Sequence, residues 1–151
     1  MDKDKLSPQE MNTLLNSKSG VKGVSKVSND MRQVIAKAKE GDARAQLALD
    51  IFDYRLIKYI GSYVAAMAGC DAVVFTGGIG ENDAAMRARV LDPLRFIGVD
   101  MDPERNSSAA KEKVITRDGS RISVWVVPTN EELMIARKTK AIVESGRSLP
   151  R

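Results

Sequence analysis

Residues 72–90 read AVVFTGGIGENDAAMRARV and combine an apolar run, a cluster of glycines and a helical pattern. The first four residues, Ala72 to Phe75, are β-formers of the kind that make a strand buried on both faces of a parallel sheet. Glycines follow at positions 77, 78 and 80, so we expect a loop there and a helix that begins near Asn82 or Asp83. A glycine loop at the carboxyl end of a buried strand is where α/β proteins commonly bind nucleotides.

Two common nucleotide motifs are excluded in this loop. The dinucleotide fingerprint GxGxxG would need a glycine where Asp83 stands, and the P-loop pattern GxxxxGK[ST] does not occur in the sequence. Glu81 and Asp83 would repel a phosphate at the start of the helix, so we expect the loop to face a base and a ribose instead. A tight strand-to-helix connection, with acidic residues that complement the helix dipole, fits the pattern equally well.

The chain ahead of this unit is predicted to be mostly helical. Ser7-Pro8-Gln9-Glu10 has the residues of a capping box and predicts a short helix to about Asn16, followed by a loop from Ser19 to Gly23. Ser28-Asn29-Asp30 supplies N-cap candidates for a helix over Met31–Lys39.

The longest predicted helix begins after Asp42 and runs to about Ala68. Its second half is apolar nearly all round, so we expect that half to be buried in the middle of the fold or at a subunit contact. Beyond the glycine unit, residues 93–98 predict a short helical turn, and the polar residues 100–111 predict a loop.

The last third of the chain predicts a hairpin and a helix. The strands cover residues 114–116 and 122–127, and the pair Asp118-Gly119 between them is a strong hairpin signal. A final helix is predicted from Glu131 to about Glu144. Strand, helix, strand and helix in that order predict an α/β protein.

The composition excludes several classes of function. The 151 residues fit one domain, and 24 basic against 20 acidic residues give a net charge of +4 without a basic stripe, so we expect no nucleic-acid partner. The sequence has no histidine, which excludes Ser-His-Asp catalysis and the HExxH zinc motif. The single cysteine, Cys70, and the lack of a long apolar segment or signal peptide predict a soluble cytoplasmic protein without a membrane partner.

Glu131 is the candidate metal ligand. Thr129 and Glu132 have the spacing of a capping box, which would occupy Glu132 and leave Glu131 to point outward at the end of a strand. Mg²⁺ commonly takes one or two protein carboxylates and completes its shell with phosphate oxygens and water. Pattern alone favours the simpler role, in which a first-turn glutamate stabilises the helix dipole.

Asp30-Met31-Arg32 is the third candidate segment. On pattern alone, Asp30 caps the following helix and Arg32 is a solvated surface residue. An arginine can also stack on a purine, and an aspartate can accept hydrogen bonds from ribose or amino groups.

Together these segments resemble the acetokinase family. The matching stretches, in the family's order, are VSNDMR (27–32), AQLALD (45–50), VFTGGIGEN (74–82) and VPTNEELMIA (127–136). The resemblance implies part of the actin/Hsp70/sugar-kinase (ribonuclease H-like) fold, an α/β domain with a mixed sheet and flanking helices, in which two related domains clasp ATP. It also implies reversible phosphoryl transfer from ATP to acetate, with a propionate or butyrate kinase as the related alternative.

The resemblance also assigns residues to an adenine nucleotide (ATP or ADP) and to Mg²⁺. Glu131 corresponds to the family's magnesium-binding glutamate. The adenosine pocket is formed by the remaining matching positions: Asp30, Met31, Arg32, Gly78, Ile79, Gly80, Glu81 and Asn82.

Length sets a limit on what the resemblance implies. Residues 1–151 match a single C-terminal domain of the family, and the family's N-terminal domain, absent here, holds the groups that grip acetate and the moving phosphoryl. We therefore expect no catalytic residue in this chain, acetate to be reached only through the missing domain, and no acetate phosphorylation by the chain alone. Members of the family pair through this domain, so we expect a homodimer, and a non-catalytic dimerisation or nucleotide-binding module is the alternative function.

Overall fold

A computed structural model describes residues 6–145, which form helices around one small sheet. A π-helical turn (Leu14–Lys18) and a 3₁₀ helix (Asp92–Ile97) accompany the main elements. The strands are β1 (Ala72–Phe75), β2 (Lys113–Val114) and β3 (Ser123–Val126). The α-helices are α1 (Pro8–Thr13), α2 (Gly20–Ser25), α3 (Met31–Lys39), α4 (Ala43–Ala66), α5 (Gly77–Asn82), α6 (Ala84–Leu91), α7 (Pro103–Ser107) and α8 (Glu131–Glu144).

The sheet is mixed, as the family resemblance implied. Its strand order is β1-β3-β2, with β1 parallel to β3 and β2 antiparallel to β3. The prediction that β1 is buried on both faces is wrong, because Val74 is 56% exposed. Val74 pairs with Trp125 of β3, which is also exposed, so one face of the sheet is bare within residues 6–145.

Two apolar clusters form the core, and the glycine turn lies between them. The larger cluster packs α6 and the 3₁₀ helix against the covered face of the sheet, and the smaller one packs α3 against α4. Ile79 of α5 and Phe52 of α4 contact both clusters. The turn after β1 is therefore held at the junction of the two packed units.

The capping residues predicted from the sequence mark the starts of α1, α3 and α4 correctly. Ser7 and Glu10 form both bonds of the capping box. Asp30 caps α3, and Asp42 caps α4 by accepting from the backbone N–H groups of Arg44 and Ala45. These bonds satisfy donors that a helix N-terminus otherwise leaves unpaired.

Three predicted loops are in fact helical. Residues 20–25 form α2, because Val21 and Val24 pack against the smaller core cluster. Residues 103–107 form α7, which Asp102 caps and in which Asn106 is buried. The glycine segment itself forms the short helix α5, and the helix predicted to begin near Asn82 or Asp83 follows it as α6, with Asp83 as its N-cap.

The second half of α4 is not buried in the middle of this fold. Tyr59, Tyr63 and Met67 are at least half exposed, because the sheet and α6 cover only one side of the helix. The alternative prediction, a subunit contact, stays a prediction. Among residues 6–145, the helices are too short or too polar for any of them to traverse a lipid bilayer.

Candidate functional site

The start of α3 and the glycine turn of α5 form opposite walls of one cleft. Its volume is about 950 Å³. Six of the predicted site residues line it, so tertiary folding brings together two segments that are far apart in the chain. The lining residues are Asn29, Asp30, Met31, Arg32, Ile35, Lys39, Thr76, Gly77, Gly78, Ile79, Asn82 and Asp83.

Asp30 and Arg32 form the polar wall of this cleft. The Asp30 carboxylate accepts from the Arg32 backbone N–H at 2.9 Å and from its guanidinium Nη2 at 2.7 Å. The guanidinium holds the pKa of Asp30 below its usual value, so the carboxylate is charged at neutral pH. The Arg32 side chain is 90% exposed, and its guanidinium is accessible to a ligand even while it is paired. Capping and a place at the cleft, which the sequence left as alternatives, therefore occur together.

The three glycines of the turn have different surroundings. Gly77 has a φ of +72°, a conformation that strongly favours glycine. A Cβ added at Gly78 would meet no atom within 4 Å, because this residue faces the open cleft. Gly80 is buried and does not line the cleft, and a Cβ there would lie 3.3 Å from the backbone of Phe75. Of the two predicted glycines, Gly78 is placed to approach a ligand and Gly80 to pack on β1.

The acidic residues after the glycines have backbone partners. Glu81 Oε1 accepts from the N–H of Gly77 at 2.8 Å and from the N–H of Thr129 at 2.9 Å. These bonds, with that from Thr129 the larger influence, lower the pKa of Glu81. Asp83 caps α6 by accepting from the Met86 N–H, which is the structural role that the sequence had left open.

The predicted capping box at the start of α8 is wrong. Asn130, not Thr129, is the N-cap, and its Oδ1 accepts from the Leu133 N–H at 2.9 Å. Thr129 lies one residue too early, and its hydroxyl instead shares a 2.6 Å hydrogen bond with the hydroxyl of Thr76. Glu132 is consequently not held in a capping box, and both it and Glu131 are exposed.

A second, smaller cleft of about 410 Å³ adjoins the first. The two share Gly77 and Gly78, so one elongated ligand can lie across these glycines. None of the described residues that line the smaller cleft is basic. They are Gly77, Gly78, Glu81, Thr129, Asn130, Glu131 and Glu132.

The carboxylates of the smaller cleft are suited to a hard cation whose other ligands are phosphate oxygens and water. No group of three or more metal-ligating side chains occurs among residues 6–145, so the protein offers no complete metal cage there. Mg²⁺ does not need one, since it commonly binds through one or two carboxylates, phosphate oxygens and water.

Sequence reasoning missed two residues under the site. Arg87 is 1% exposed and donates from Nη1 to the carbonyl oxygens of Gly80 at 2.7 Å and Glu81 at 2.9 Å. Asn106 accepts from Arg87 Nε at 2.8 Å and in turn donates to the carbonyl oxygen of Ala84. A signal was present, because Arg87 lies on the apolar stripe of α6, where a charged residue needs a buried partner.

The fold and the paired clefts define the class of protein. The sheet is mixed and flanked by helices, and a glycine turn follows its edge strand β1 beside the capped helix α3. This is an α/β architecture of the actin/Hsp70/sugar-kinase type. The fold predicted from the sequence is thus confirmed. The chain belongs to the acetokinase family, whose model matches residues 1–137.

Individual relatives agree with that family. The acetate kinase of Desulforamulus reducens is 52% identical over 143 residues, which cover 95% of this chain and 36% of that protein. The crystal structure of Porphyromonas gingivalis acetate kinase has a TM-score of 0.82 and 45% identity, over 91% of this chain and 35% of that one. A propionate kinase from Francisella tularensis has a TM-score of 0.77 and 41% identity, over 88% of this chain and 34% of that one. The chain thus spans 36% of the length of the Desulforamulus relative.

Proposed function

We propose that this chain is the C-terminal, nucleotide-binding part of an acetate kinase, which transfers the terminal phosphoryl group of ATP reversibly to acetate. The observation that carries the proposal is the pair of clefts joined at Gly77 and Gly78. One cleft presents groups suited to adenosine, and the other presents carboxylates suited to Mg²⁺. An adenine nucleotide laid across the two glycines reaches both.

The larger cleft suits adenosine in shape and chemistry. The guanidinium of Arg32 offers a flat cation that can stack on a purine. The charged carboxylate of Asp30 can accept hydrogen bonds from ribose hydroxyls. Gly78 leaves room for the nucleoside because it has no side chain, while Met31 and Ile79 supply apolar surface.

The smaller cleft suits the magnesium that accompanies the nucleotide. Glu131 would hold Mg²⁺ through its carboxylate, with Glu132 as its neighbour, while phosphate oxygens and water supply the other ligands. When bound, Mg²⁺ neutralises charge on the terminal phosphates. Glu131 itself would place the cation beside the glycines over which the phosphates pass.

Activity needs more than this chain supplies. Phosphoryl transfer depends on positive groups that surround the moving phosphoryl, and no basic residue lines the smaller cleft among residues 6–145. We propose that those positive groups and the acetate site lie in the part of the full-length family proteins that precedes the matched region. These residues alone would then bind neither acetate nor acetyl phosphate.

The related acyl kinases form the second candidate. A propionate kinase shares this fold at 41% identity, and the clefts described here contain no feature that would select an acyl chain. Propionate or butyrate in place of acetate therefore changes none of the roles proposed for these residues.

We also propose that the chain forms a homodimer in the cytoplasm. The bare face of the sheet and the exposed aromatic residues of α4 together leave apolar surface that a second copy would cover. A non-catalytic dimerisation module would use the same surface, but it would have no use for the paired clefts.

Calorimetry with Mg-ADP tests the nucleotide proposal directly. The 151-residue chain should release or absorb heat at micromolar Mg-ADP, and should make no acetyl phosphate from ATP and acetate. Addition of the part of the Desulforamulus relative that precedes the matched region should restore acetyl phosphate formation. A chain that binds no Mg-ADP at millimolar concentration, or that phosphorylates acetate unaided, would contradict the proposal.

A further inference from the structure

Glu81 bonds to two segments of the chain that diverge after the paired strands β1 and β3. The last backbone bond between β1 and β3 is donated by the Val127 N–H to the Phe75 carbonyl at 2.9 Å. Beyond it the chain enters α5 on one side and runs toward α8 on the other. Glu81 Oε1 accepts from the N–H of Gly77, the first residue of α5, and from the N–H of Thr129, which lies between β3 and α8.

Two hydroxyl groups, those of Thr129 and Thr76, add to this connection. The Gly77 N–H also donates to Thr129 Oγ1 at 3.1 Å, and that hydroxyl is 2.6 Å from the hydroxyl of Thr76. We call Glu81 with its two N–H donors, Gly77 and Thr129, the Glu81 bracket. Hydrogen bonds to an ionised carboxylate are among the stronger ones in proteins, so the bracket is expected to be rigid.

The bracket holds two parts of the proposed site at a fixed separation. Gly78 follows one anchor directly, and Glu131 lies two residues beyond the other. Both line the smaller cleft. A ligand that touches the glycine and the glutamate together will bind tightly only if their separation is set in advance, because ordering them on binding costs free energy.

We propose that Glu81 is a positioning residue, whose carboxylate holds the Glu131 segment against the glycine turn so that one magnesium-nucleotide can reach both. The inference rests on the proposed function for its ligand and on the bracket for its geometry. It differs from the role that the family resemblance implied, in which Glu81 belongs to the adenosine pocket, because the larger cleft is lined by its neighbour Asn82 and not by Glu81.

Nucleotide affinity with and without magnesium separates the two roles. The quantity to compare is the factor by which Mg²⁺ tightens ADP binding, measured by calorimetry. Glu81→Ala should reduce that factor about tenfold, which is typical of losing a residue that orients a metal ligand. The affinity for ADP in the absence of Mg²⁺ should stay about the same. Glu81→Gln should retain most of the factor, because an amide oxygen can accept the same two hydrogen bonds.

A double variant shows whether Glu81 acts through Glu131. If it does, Glu81→Ala should add no further loss in a Glu131→Ala background, since coupled residues are not additive. Glu144→Ala, a substitution of an exposed glutamate at the opposite end of α8 from Glu131, is the matched control and should change neither affinity.

Amide hydrogen exchange tests the bracket without any ligand. In Glu81→Ala the Thr129 N–H should lose its protection, and the Gly77 N–H, which also donates to Thr129 Oγ1, should lose part of it. Both amides should stay protected in Glu81→Gln. Equal weakening of ADP binding with and without Mg²⁺ would overturn the inference, as would protection of the two amides that does not depend on Glu81.

Failure of the proposed function looks different. A wild-type chain that binds ADP with no dependence on Mg²⁺, or not at all, would remove the function and with it the role of Glu81 toward Glu131. The exchange experiment would still decide whether Glu81 couples the two segments.

Discussion

Arg87 donates from Nη1 to the carbonyl oxygen of Gly80 at 2.7 Å, and the arginine that does so is only 1% exposed. All four of its described hydrogen bonds go to carbonyl oxygens: those of Gly80 and Glu81, and the backbone and side-chain oxygens of Asn106. The glycine turn is thus anchored from below by α6 and α7, while its other side faces the cleft.

Arg87→Met should destabilise the fold. The change keeps much of the apolar volume but leaves several buried carbonyl oxygens without a donor, and each such group costs roughly 1–3 kcal/mol. We expect a loss of about 3 kcal/mol in the free energy of unfolding, measured by urea denaturation.

Arg95→Met is the control for that substitution. Arg95 is exposed and its one ion pair among residues 6–145 is with exposed Asp92, so its loss should cost no more than about 0.5 kcal/mol. Equal stability of the two variants would show that the hydrogen bonds of Arg87 do not hold the turn.

Alanine at Gly78 and Gly80 should separate ligand binding from folding. Gly78→Ala adds a methyl group to open space in the cleft, so stability should stay within about 0.5 kcal/mol while ADP affinity falls. Gly80→Ala forces a Cβ to 3.3 Å from the Phe75 backbone and should cost about 1–3 kcal/mol of stability. Calorimetry and thermal unfolding of both variants give the comparison, and unchanged ADP affinity in Gly78→Ala would place the nucleotide elsewhere.

Glu131→Gln and Glu132→Gln form a matched pair that tests the metal ligand. The two residues are adjacent, exposed and in the same cleft. If Glu131 binds Mg²⁺, its change to glutamine should weaken Mg-ADP binding by about tenfold or more, and the change at Glu132 should have a much smaller effect. Similar losses in the two variants would remove the assignment of Glu131.

Asp53 should make stability depend on pH in the direction opposite to a stabilising carboxylate. It is 6% exposed, Arg89 Nε lies 2.5 Å from its Oδ2, and its Oδ1 has no partner among the described residues. Burial raises the pKa of Asp53, and Arg89 only partly opposes this. As pH rises from the ordinary value of 3.8 to the raised folded pKa, the unfolded chain ionises first, so the native state loses stability and then levels off.

Asp53→Asn should lack that loss. The unfolding free energy of the variant relative to wild type should therefore increase between about pH 3 and pH 7, as measured by urea unfolding at a series of pH values. Asp50→Asn, on the exposed side of the same helix, supplies the reference curve. A difference that is flat, or that falls as pH rises, would mean that Asp53 is not destabilised by its burial.

Much of the fold followed from short-range patterns. Asp30 and Asp42 were predicted as caps because a cap and the donors it satisfies lie within three residues of each other. The prediction that Thr129 caps α8 was wrong, because the choice between Thr129 and Asn130 depends on the path of the chain after β3 ends. The exposure of Val74 could not be predicted either, since it depends on what covers the sheet and not on the strand itself.

The candidate site divides in the same way. Its residues were named from four matching segments, and the structure places Asp30, Arg32 and Gly78 around one cleft. The different roles of Gly78 and Gly80 could not be predicted, because both are glycines of one turn. They differ in the structure because only Gly80 packs against the backbone of Phe75.

By itself, the sequence determined the strands, the longer helices with their starts, and the family pattern that they follow, because capping and periodicity act over a few neighbouring residues. Only the tertiary structure decided that Glu81 bonds to Thr129 and that Arg87 bonds to Asn106. Those partners are distant in the chain, and a hydrogen bond depends on a separation of about 3 Å that only the packed core can set.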